Sequence, residues 1–238
     1  MVLQAELALM AAAAGLYLCD SALLLYFDEG ILAPAGRGRW RVLFASDKFR
    51  LMGRGLFLPN PLLPHRPVFR LGWRFPSPGR AVDAQWPARR ALFRPLAPAV
   101  WAMSLALFVV LPLGLFRLGE PALLAAVVML YASIAAALVW TGLNRGRLGV
   151  PARRFAVLAF ESLVCPPFAL NLVRRLSSAM PIGEDLVRAA RALQAPHDWD
   201  ASRLEFIARL DEEIDCEEEG SLRLPVLMQS RRELECPG

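Results

Sequence analysis

Long uninterrupted apolar runs dominate the pattern of the chain. The segments 7–27, 98–116 and 121–143 each consist almost entirely of apolar residues. Each has about the length that an α-helix needs to cross roughly 30 Å of hydrocarbon, so we predict three transmembrane helices. Only residues 117–120 separate the second run from the third, and these two helices should therefore form an antiparallel hairpin.

A fourth apolar segment, 155–173, is interrupted by polar and helix-breaking residues. It contains Glu161, the pair Pro166 and Pro167, and Asn171. Consecutive prolines remove two backbone donors in mid-helix. Two interpretations stay open: a kinked helix that crosses the membrane, and a re-entrant or interfacial segment that returns to its starting side. We favour the second, because it keeps the arginines that follow the segment in the cytoplasm.

The region 30–97 lacks helical periodicity. Short stretches rich in aromatic and β-branched residues are separated there by glycines and by a proline-rich run at 59–67. Such stretches, bounded by turn residues, are typical of short strands. We therefore predict a small β-rich loop region between the first and second spans.

The C-terminal region, 181–238, has the three- and four-residue apolar spacing of amphipathic helices. We predict two helices here, at 185–194 and 200–215. The apolar stripe of the second helix consists of Leu204, Ile207, Leu210 and Ile214. This stripe has to pack against the first tail helix, the strands of the loop region or a partner protein.

Together these elements predict a mainly α membrane protein with three transmembrane helices and a fourth kinked or re-entrant membrane segment. A small β-rich cytoplasmic loop region and a short amphipathic helical C-terminal tail complete the fold. The predicted regions are transmembrane helix 1 at 1–29, the basic loop region at 30–97, the transmembrane hairpin at 98–143, the arginine-rich link with the fourth segment at 144–180, and the acidic tail at 181–238.

Composition and charge fix the expected orientation. Hydrophobic residues make up 56% of the chain, more than the roughly 45–50% of a soluble domain. Residues 30–97 hold 13 basic and two acidic residues, whereas 195–238 hold five basic and 12 acidic residues. Basic loops stay in the cytoplasm, and the opposite charges of loop and tail attract each other. Arginine supplies 26 of the 27 basic residues, as in GC-rich bacterial genomes, so we expect a multi-pass protein of a bacterial inner membrane.

Three polar residues within the apolar segments form a candidate intramembrane site: Asp20, Glu161 and Asn171. A charge inside the bilayer costs about 2.5–3.5 kcal/mol on the most permissive scale. Both carboxyl groups lie about 10 Å from the cytoplasmic ends of their predicted segments. They could pair, each could take an arginine from 145–154, or each could face polar backbone groups freed by the prolines or a water-filled dent.

The basic loop also carries a candidate lipid-contact surface, in which arginines alternate with aromatic residues. Its members are Arg66, Arg70, Trp73 and Arg74. Such a pattern also occurs in proteins that bind single-stranded nucleic acid. A position between two membrane spans argues against nucleic acid, and a basic cytoplasmic loop needs no ligand at all.

The sequence contains no recognisable catalytic, metal-binding or nucleotide-binding motif, so we expect no catalytic residue, metal or cofactor. The expected function is that of a non-catalytic inner-membrane subunit or scaffold. The alternatives are a small proton-coupled transporter or channel component that uses the carboxylates, and a lipid-modifying enzyme that also uses His65. The expected partners are membrane lipids and a protein bound through the tail helix or through the small residues of the third span, Ala122, Ala126, Ser133 and Ala137.

Overall fold

The computed structural model describes residues 2–36, 38–73, 85–218 and 220–235. Most of these residues are helical, and a small β region follows the first helix. The helices are α1 Val2–Ser21, α2 Trp86–Ala91, α3 Ala97–Leu105, α4 Leu111–Leu113, α5 Glu120–Leu143, α6 Ala152–Val164, α7 Pro166–Leu170, α8 Leu172–Ser178, α9 Leu186–Leu193, α10 Pro196–Cys216 and α11 Leu224–Glu235. The strands are β1 Leu23–Leu25, β2 Glu29–Pro34, β3 Trp40–Leu43, β4 Ser46–Leu51, β5 Arg54–Phe57 and β6 Phe69–Gly72.

The chain divides into two compact units, each assembled from separate stretches of sequence. The helical unit comprises Met1–Leu23, Leu58–Pro67 and Pro87–Pro181. The mixed unit comprises Leu24–Phe57, Val68–Trp86 and Ile182–Gly238. The strands of the predicted loop region and the helices of the predicted tail therefore belong to one folded body.

Two helices in the described part of the chain have the length and apolar composition needed to cross a membrane. They are the helical stretch Trp86–Leu118, which contains two π-helical turns, and α5. Only 28% of the most apolar window of each is buried, whereas a core helix of a soluble protein is buried over most of its surface. At the turn between them, Gly119 has a φ of 71°, and a Cβ on Gly114 would lie 3.0 Å from the backbone nitrogen of Leu123.

The first predicted span differs from the observed helix at both ends. Helix α1 begins at Val2 and ends at Ser21, and Leu23–Leu25 forms β1 instead of a last helical turn. A short apolar run fits a buried strand as well as a helix. Here the run forms a strand, because β1 pairs with β5 and Leu25 is completely buried. The segment 1–29 is therefore not one helix, and a third crossing by α1 stays a prediction.

The fourth apolar segment contains no continuous helix of bilayer length. Helix α6 has 13 residues and so spans about 20 Å, less than the roughly 30 Å of a hydrocarbon core. It ends at Val164. The next residue, Cys165, has a φ of −127° and a ψ of 85°, which are not helical, because a following proline disfavours helical backbone. A second break lies at Asn171, between α7 and α8.

The described strands of the mixed unit form two three-stranded sheets. Their orders are β3-β2-β6 and β1-β5-β4, and β2 is antiparallel to both of its neighbours. An aromatic cluster fills the core beside the first sheet. The rings of Trp40, Phe69 and Trp86 pack with centroids 5.4–6.0 Å apart, and Trp86 donates to Glu184 Oε2 at 2.7 Å.

The tail helix α10 buries a different face from the predicted one. Phe206 is fully buried and its ring packs edge-to-face against Phe44 at 4.9 Å and Trp73 at 5.3 Å. Leu210 is buried as predicted, but Leu204 is 63% exposed. The aromatic ring buries more area than a leucine, and its fit between Phe44 and Trp73 sets the rotation of the helix.

Opposite charges join the basic and acidic parts of the mixed unit. Arg39 pairs with Asp198 at 3.1 Å, and Arg50 pairs with Glu212. These pairs realise the predicted attraction between the loop region and the tail. Both lie at the surface, where solvent screens an ion pair and its contribution to stability is small.

Candidate functional site

The three polar residues predicted to form an intramembrane site lie in one hydrogen-bonded network of the helical unit. Asp20 lies in the last turn of α1 and Glu161 lies within α6. Asn171 is fully buried at the break between α7 and α8. Since α1 ends at Ser21, Asp20 is one residue from the helix end and not about 10 Å inside a span.

Arg175 lies between the two carboxyl groups. Its Nη2 pairs with Glu161 Oε2, and its Nη1 lies 3.8 Å from Asp20 Oδ1. The side chains of Arg175, Asp20 and Glu161 are 24%, 15% and 34% exposed, so the charges are only partly screened by solvent. One expectation was a separate arginine from 145–154 for each carboxyl group. Instead α8 supplies one arginine to both, one turn after the helix is interrupted at Asn171.

Asn171 connects this ion-paired group to a second arginine. Its Nδ2 donates to Asp20 Oδ2 at 3.1 Å and to the carbonyl of Tyr17 at 2.9 Å. Its Oδ1 accepts a hydrogen bond from Arg174 Nη1 at 3.1 Å. A buried amide that uses both of its ends in this way is hard to replace, because a lost partner leaves a polar atom without a hydrogen bond.

Arg174 anchors the proline-rich turn of the helical unit. The residue is 3% exposed, and its Nη2 donates to the carbonyl of Asn60 at 2.5 Å. Tyr17 OH lies 3.4 Å from Arg174 Nη1 and donates to the carbonyl of Pro61 at 2.5 Å. The network thus ties α1, the turn 58–67, α6 and α8 together.

Sequence reasoning missed both arginines as site residues, since it used them only to orient the chain. One signal was present in the sequence. Arg174 and Arg175 follow Asn171 by three and four residues, the spacing at which helical side chains share a face. Two arginines at this spacing after a buried asparagine indicate internal ion pairing as well as topology.

His65 lies in the same proline-rich turn but outside the ion-paired group. Its ring packs 5.1 Å from that of Trp101, and its Nδ1 has no hydrogen-bond partner among the described residues. Burial lowers the pKa of His65, and the charges of Arg66 and Arg174 lower it further. The neutral imidazole is therefore the favoured form, and no described carboxylate lies beside it to make a catalytic pair.

The described residues of the predicted lipid-contact surface differ in their surroundings. Arg66 is exposed, whereas Arg70 pairs with Glu29. Trp73 is 3% exposed and packs against Phe206, whereas the prediction had placed it at the lipid surface; contact of this group with lipid stays a prediction. Its indole fills the core because the strand alternation turns it inward beside Leu71. Arg74 lies outside the described residues.

Two cavities lie away from this network. One, of about 440 Å³, lies between β3 and α10 and is lined in part by Gln194, Asp198 and Glu205. The other, of about 500 Å³, lies between α3 and α5 beside Ser133 and Ala137. Two residues of the predicted small-residue stripe, Ala126 and Ala137, are buried inside the helical unit.

The arrangement of the network is that of a structural junction between helices. Every carboxylate in it faces a guanidinium or an amide, and the turn 58–67 is held by two hydrogen bonds to its backbone. Such mutual neutralisation lets charged groups stay at the edge of an apolar region. No protein-family model, no curated protein and no solved structure matches this chain.

Proposed function

We propose that the chain is a non-catalytic subunit or scaffold of a bacterial inner membrane that presents the mixed unit in the cytoplasm. In this proposal the helical unit anchors the chain in the membrane, and the mixed unit binds other proteins. One observation carries it: the mixed unit is built from three stretches of sequence, and the two long apolar helices lie between the second stretch and the third.

The connectivity of the chain limits how many times the proposed anchor crosses the membrane. The stretch Val68–Trp86 and the stretch that begins at Ile182 belong to one folded body, so in this proposal both lie on the same side of the membrane. The chain between them then crosses an even number of times. The Trp86–Leu118 stretch and α5 account for two crossings. Helices α6 to α8 then make either no crossing or two crossings that bring the chain back to the same side. A re-entrant or interfacial fourth segment fits this requirement.

The ion pairing in the helical unit favours a scaffold over a proton-coupled transporter. A proton carrier needs a carboxyl group that gains and loses its proton during the transport cycle. Asp20 and Glu161 are instead both engaged by Arg175, so each carboxyl group has a fixed partner within the fold. A lipid-modifying enzyme that uses these groups with His65 has less support still, because the described contacts of the imidazole include no carboxylate.

The proposal is tested by isolating the protein from its native bacterium with an affinity tag after Gly238. We expect it to stay in the membrane fraction after alkaline washing, and to purify in mild detergent with a second protein at a fixed ratio. Phe206→Ala, which disturbs the core of the mixed unit, should leave the chain in the membrane but lose that protein. Arg147→Gln, an exposed position in the helical unit, should retain it.

Purification as a lone chain of 26.3 kDa would count against a subunit. If the same preparation drove pH-dependent uptake after reconstitution into liposomes, and Glu161→Gln abolished it, the transporter alternative would replace the scaffold. Release by alkaline washing would reject the membrane anchor itself.

A further inference from the structure

The hairpin formed by β4 and β5 exposes apolar side chains that the core of the mixed unit does not use. Phe49 is 67% exposed, Leu51 is 57% exposed and Met52, at the turn, is 94% exposed. These three residues lie within four consecutive positions. A scattered exposed leucine needs no explanation, but a contiguous apolar group at a hairpin tip marks an interaction surface.

The backbone conformation at the hairpin tip makes methionine an unfavourable residue at position 52. Met52 has a φ of 50° and Gly53 a φ of 75°. Two successive positive φ values favour Asn-Gly or Asp-Gly in a tight hairpin turn, and a bulky residue there is strained. Met52 is the only non-glycine residue with a positive φ in the described part of the chain. Neither the turn nor the core accounts for a long apolar side chain at this point.

Basic and aromatic residues surround the apolar tip. Lys48, Arg50 and Arg54 flank it, and residues 46–54 contain one acidic residue in the sequence. Arg50 pairs with Glu212, but both side chains remain about half exposed. The Arg54 guanidinium lies over the ring of Tyr26 at 4.2 Å, and Tyr26 is itself 43% exposed. Apolar tips rimmed by cations and tyrosine suit the boundary between acyl chains and anionic headgroups.

The edge position of β4 argues against a protein strand as the occupant. In the order β1-β5-β4 the outer edge of β4 has no neighbour among the described strands. Charged residues on an edge strand, such as Lys48 and Arg50, oppose pairing with another strand. The register of β4 against β5 also shifts between Ser46 and Arg50, and such bulges twist an edge away from continuous pairing.

We propose that the β4–β5 hairpin is a lipid anchor of the mixed unit. Phe49, Leu51 and Met52 insert into the interface of an anionic leaflet, and Lys48 and Arg54 contact its phosphate groups. In this proposal the hairpin takes the role that the sequence pattern had assigned to Arg66, Arg70, Trp73 and Arg74. The inference rests on the proposed membrane location of the chain, and it adds a second attachment that the apolar helices do not provide.

The test places an environment-sensitive fluorophore on single cysteines of the full chain reconstituted in lipid nanodiscs. The probe positions are Met52→Cys, Leu222→Cys and Leu143→Cys. Leu222 is a matched control, because it is 93% exposed like Met52 but adjoins an acidic part of the chain. Leu143 ends α5 and is 81% exposed, so it reports on the membrane anchor. The native thiols are first replaced by serine at Cys19, Cys165, Cys216 and Cys236.

In nanodiscs that contain phosphatidylglycerol, we expect emission from position 52 to shift to shorter wavelength. Spin-labelled lipid in the same disc should quench it, whereas position 222 should stay unshifted and unquenched. Lys48→Gln combined with Arg54→Gln, or discs of phosphatidylcholine alone, should reduce both the shift and the quenching at position 52. Rising salt should act in the same direction.

Quenching at Leu143 but not at Met52 would overturn the lipid anchor and leave the membrane location intact. Absence of quenching at Leu143 would reject the membrane location on which the inference rests. A shift at position 52 that grows with the number of protein copies per disc, without quenching by lipid, would show that a second copy covers the hairpin, and would also overturn the proposal.

Discussion

Arg175 determines how two carboxylates coexist at the edge of an apolar unit. Asp20 and Glu161 come from helices far apart in sequence, and the guanidinium between them contacts both. In a poorly solvated region the charge of one group depends on its neighbours. The effect of substituting any one of the three residues should therefore depend on the state of the other two.

We expect Arg175→Gln to destabilise the protein because it leaves two carboxylates facing each other without a cation. Adding Glu161→Gln should restore part of the loss, with a coupling energy of about 0.5–3 kcal/mol between the two positions. Asp20→Asn should be tolerated, since the amide keeps the shape and can still bond to Asn171. Thermal unfolding in detergent micelles measures all variants, with the exposed Arg147→Gln as control. Strictly additive losses would show that the positions act independently.

His65 gives the helical unit a pH dependence. Its pKa lies below the ordinary value of 6.5 because of burial and because of the nearby charges of Arg66 and Arg174. The unfolded chain then binds a proton at a higher pH than the folded chain does. Stability from this group is complete above about pH 6.5 and falls as the pH drops through the folded-state pKa.

We expect the wild-type midpoint of thermal unfolding to fall between about pH 7 and about pH 5 more steeply than that of His65→Asn. The asparagine cannot take up a proton, so the difference between the two curves isolates the imidazole. His197→Asn is the matched control, because its side chain is 97% exposed. Equal slopes for all three proteins would show that His65 contributes nothing to the pH dependence.

At the scale of elements, the sequence predicted those whose signal is local. Short aromatic and β-branched stretches within 30–97 predicted strands, and β3, β5 and β6 form in that region. Strand β1 was missed because Leu23–Leu25 continues the apolar run of α1, and composition alone does not separate a buried strand from a helix. Helix α10 was predicted, but its rotation depends on the aromatic partners of Phe206, which spacing does not reveal.

The rotation of α10 can be tested by comparing two of its residues. Phe206→Ala should cost about 3–5 kcal/mol, because it removes a fully buried ring from the core of the mixed unit. Leu204→Ala should change the free energy of unfolding by less than about 0.5 kcal/mol, since that side chain is largely exposed. Denaturant unfolding followed by tryptophan fluorescence measures both. Equal costs would mean that the predicted stripe, and not the observed face, packs against the strands.

The candidate site was predictable in part, and for a physical reason. Charged and amide groups inside apolar runs stand out at once, which identified Asp20, Glu161 and Asn171. Residue spacing did not predict the helix break at Asn171. Helix α8 begins after this break, and it brings Arg175 to Glu161. The partners of a buried charge are set by tertiary geometry. The sequence indicated that a network exists, and the spacing after Asn171 pointed to Arg174 and Arg175 without indicating which carboxyl group each contacts.

At the scale of the whole molecule, the decisive constraint is that the loop region and the tail share one folded unit. In the proposed membrane location, a body folded from both cannot be divided by a bilayer, so we expect the tail on the side of the basic loop. The positive-inside rule predicts that this side is the cytoplasm. The turn at Gly119, between the two long apolar helices, should then lie in the periplasm.

We therefore expect a reporter enzyme that is active only in the periplasm to be silent when fused after Gly238 or inserted after Gly36. The same reporter inserted after Gly119 should be active, which shows that each fusion is expressed and that the hairpin crosses. A reporter active only in the cytoplasm should give the inverse pattern at all three positions. Strong periplasmic activity after Gly238 together with silence after Gly36 would place the loop and the tail on opposite sides. That result would require α6 to α8 to cross the membrane, and the mixed unit could not then form as a single body.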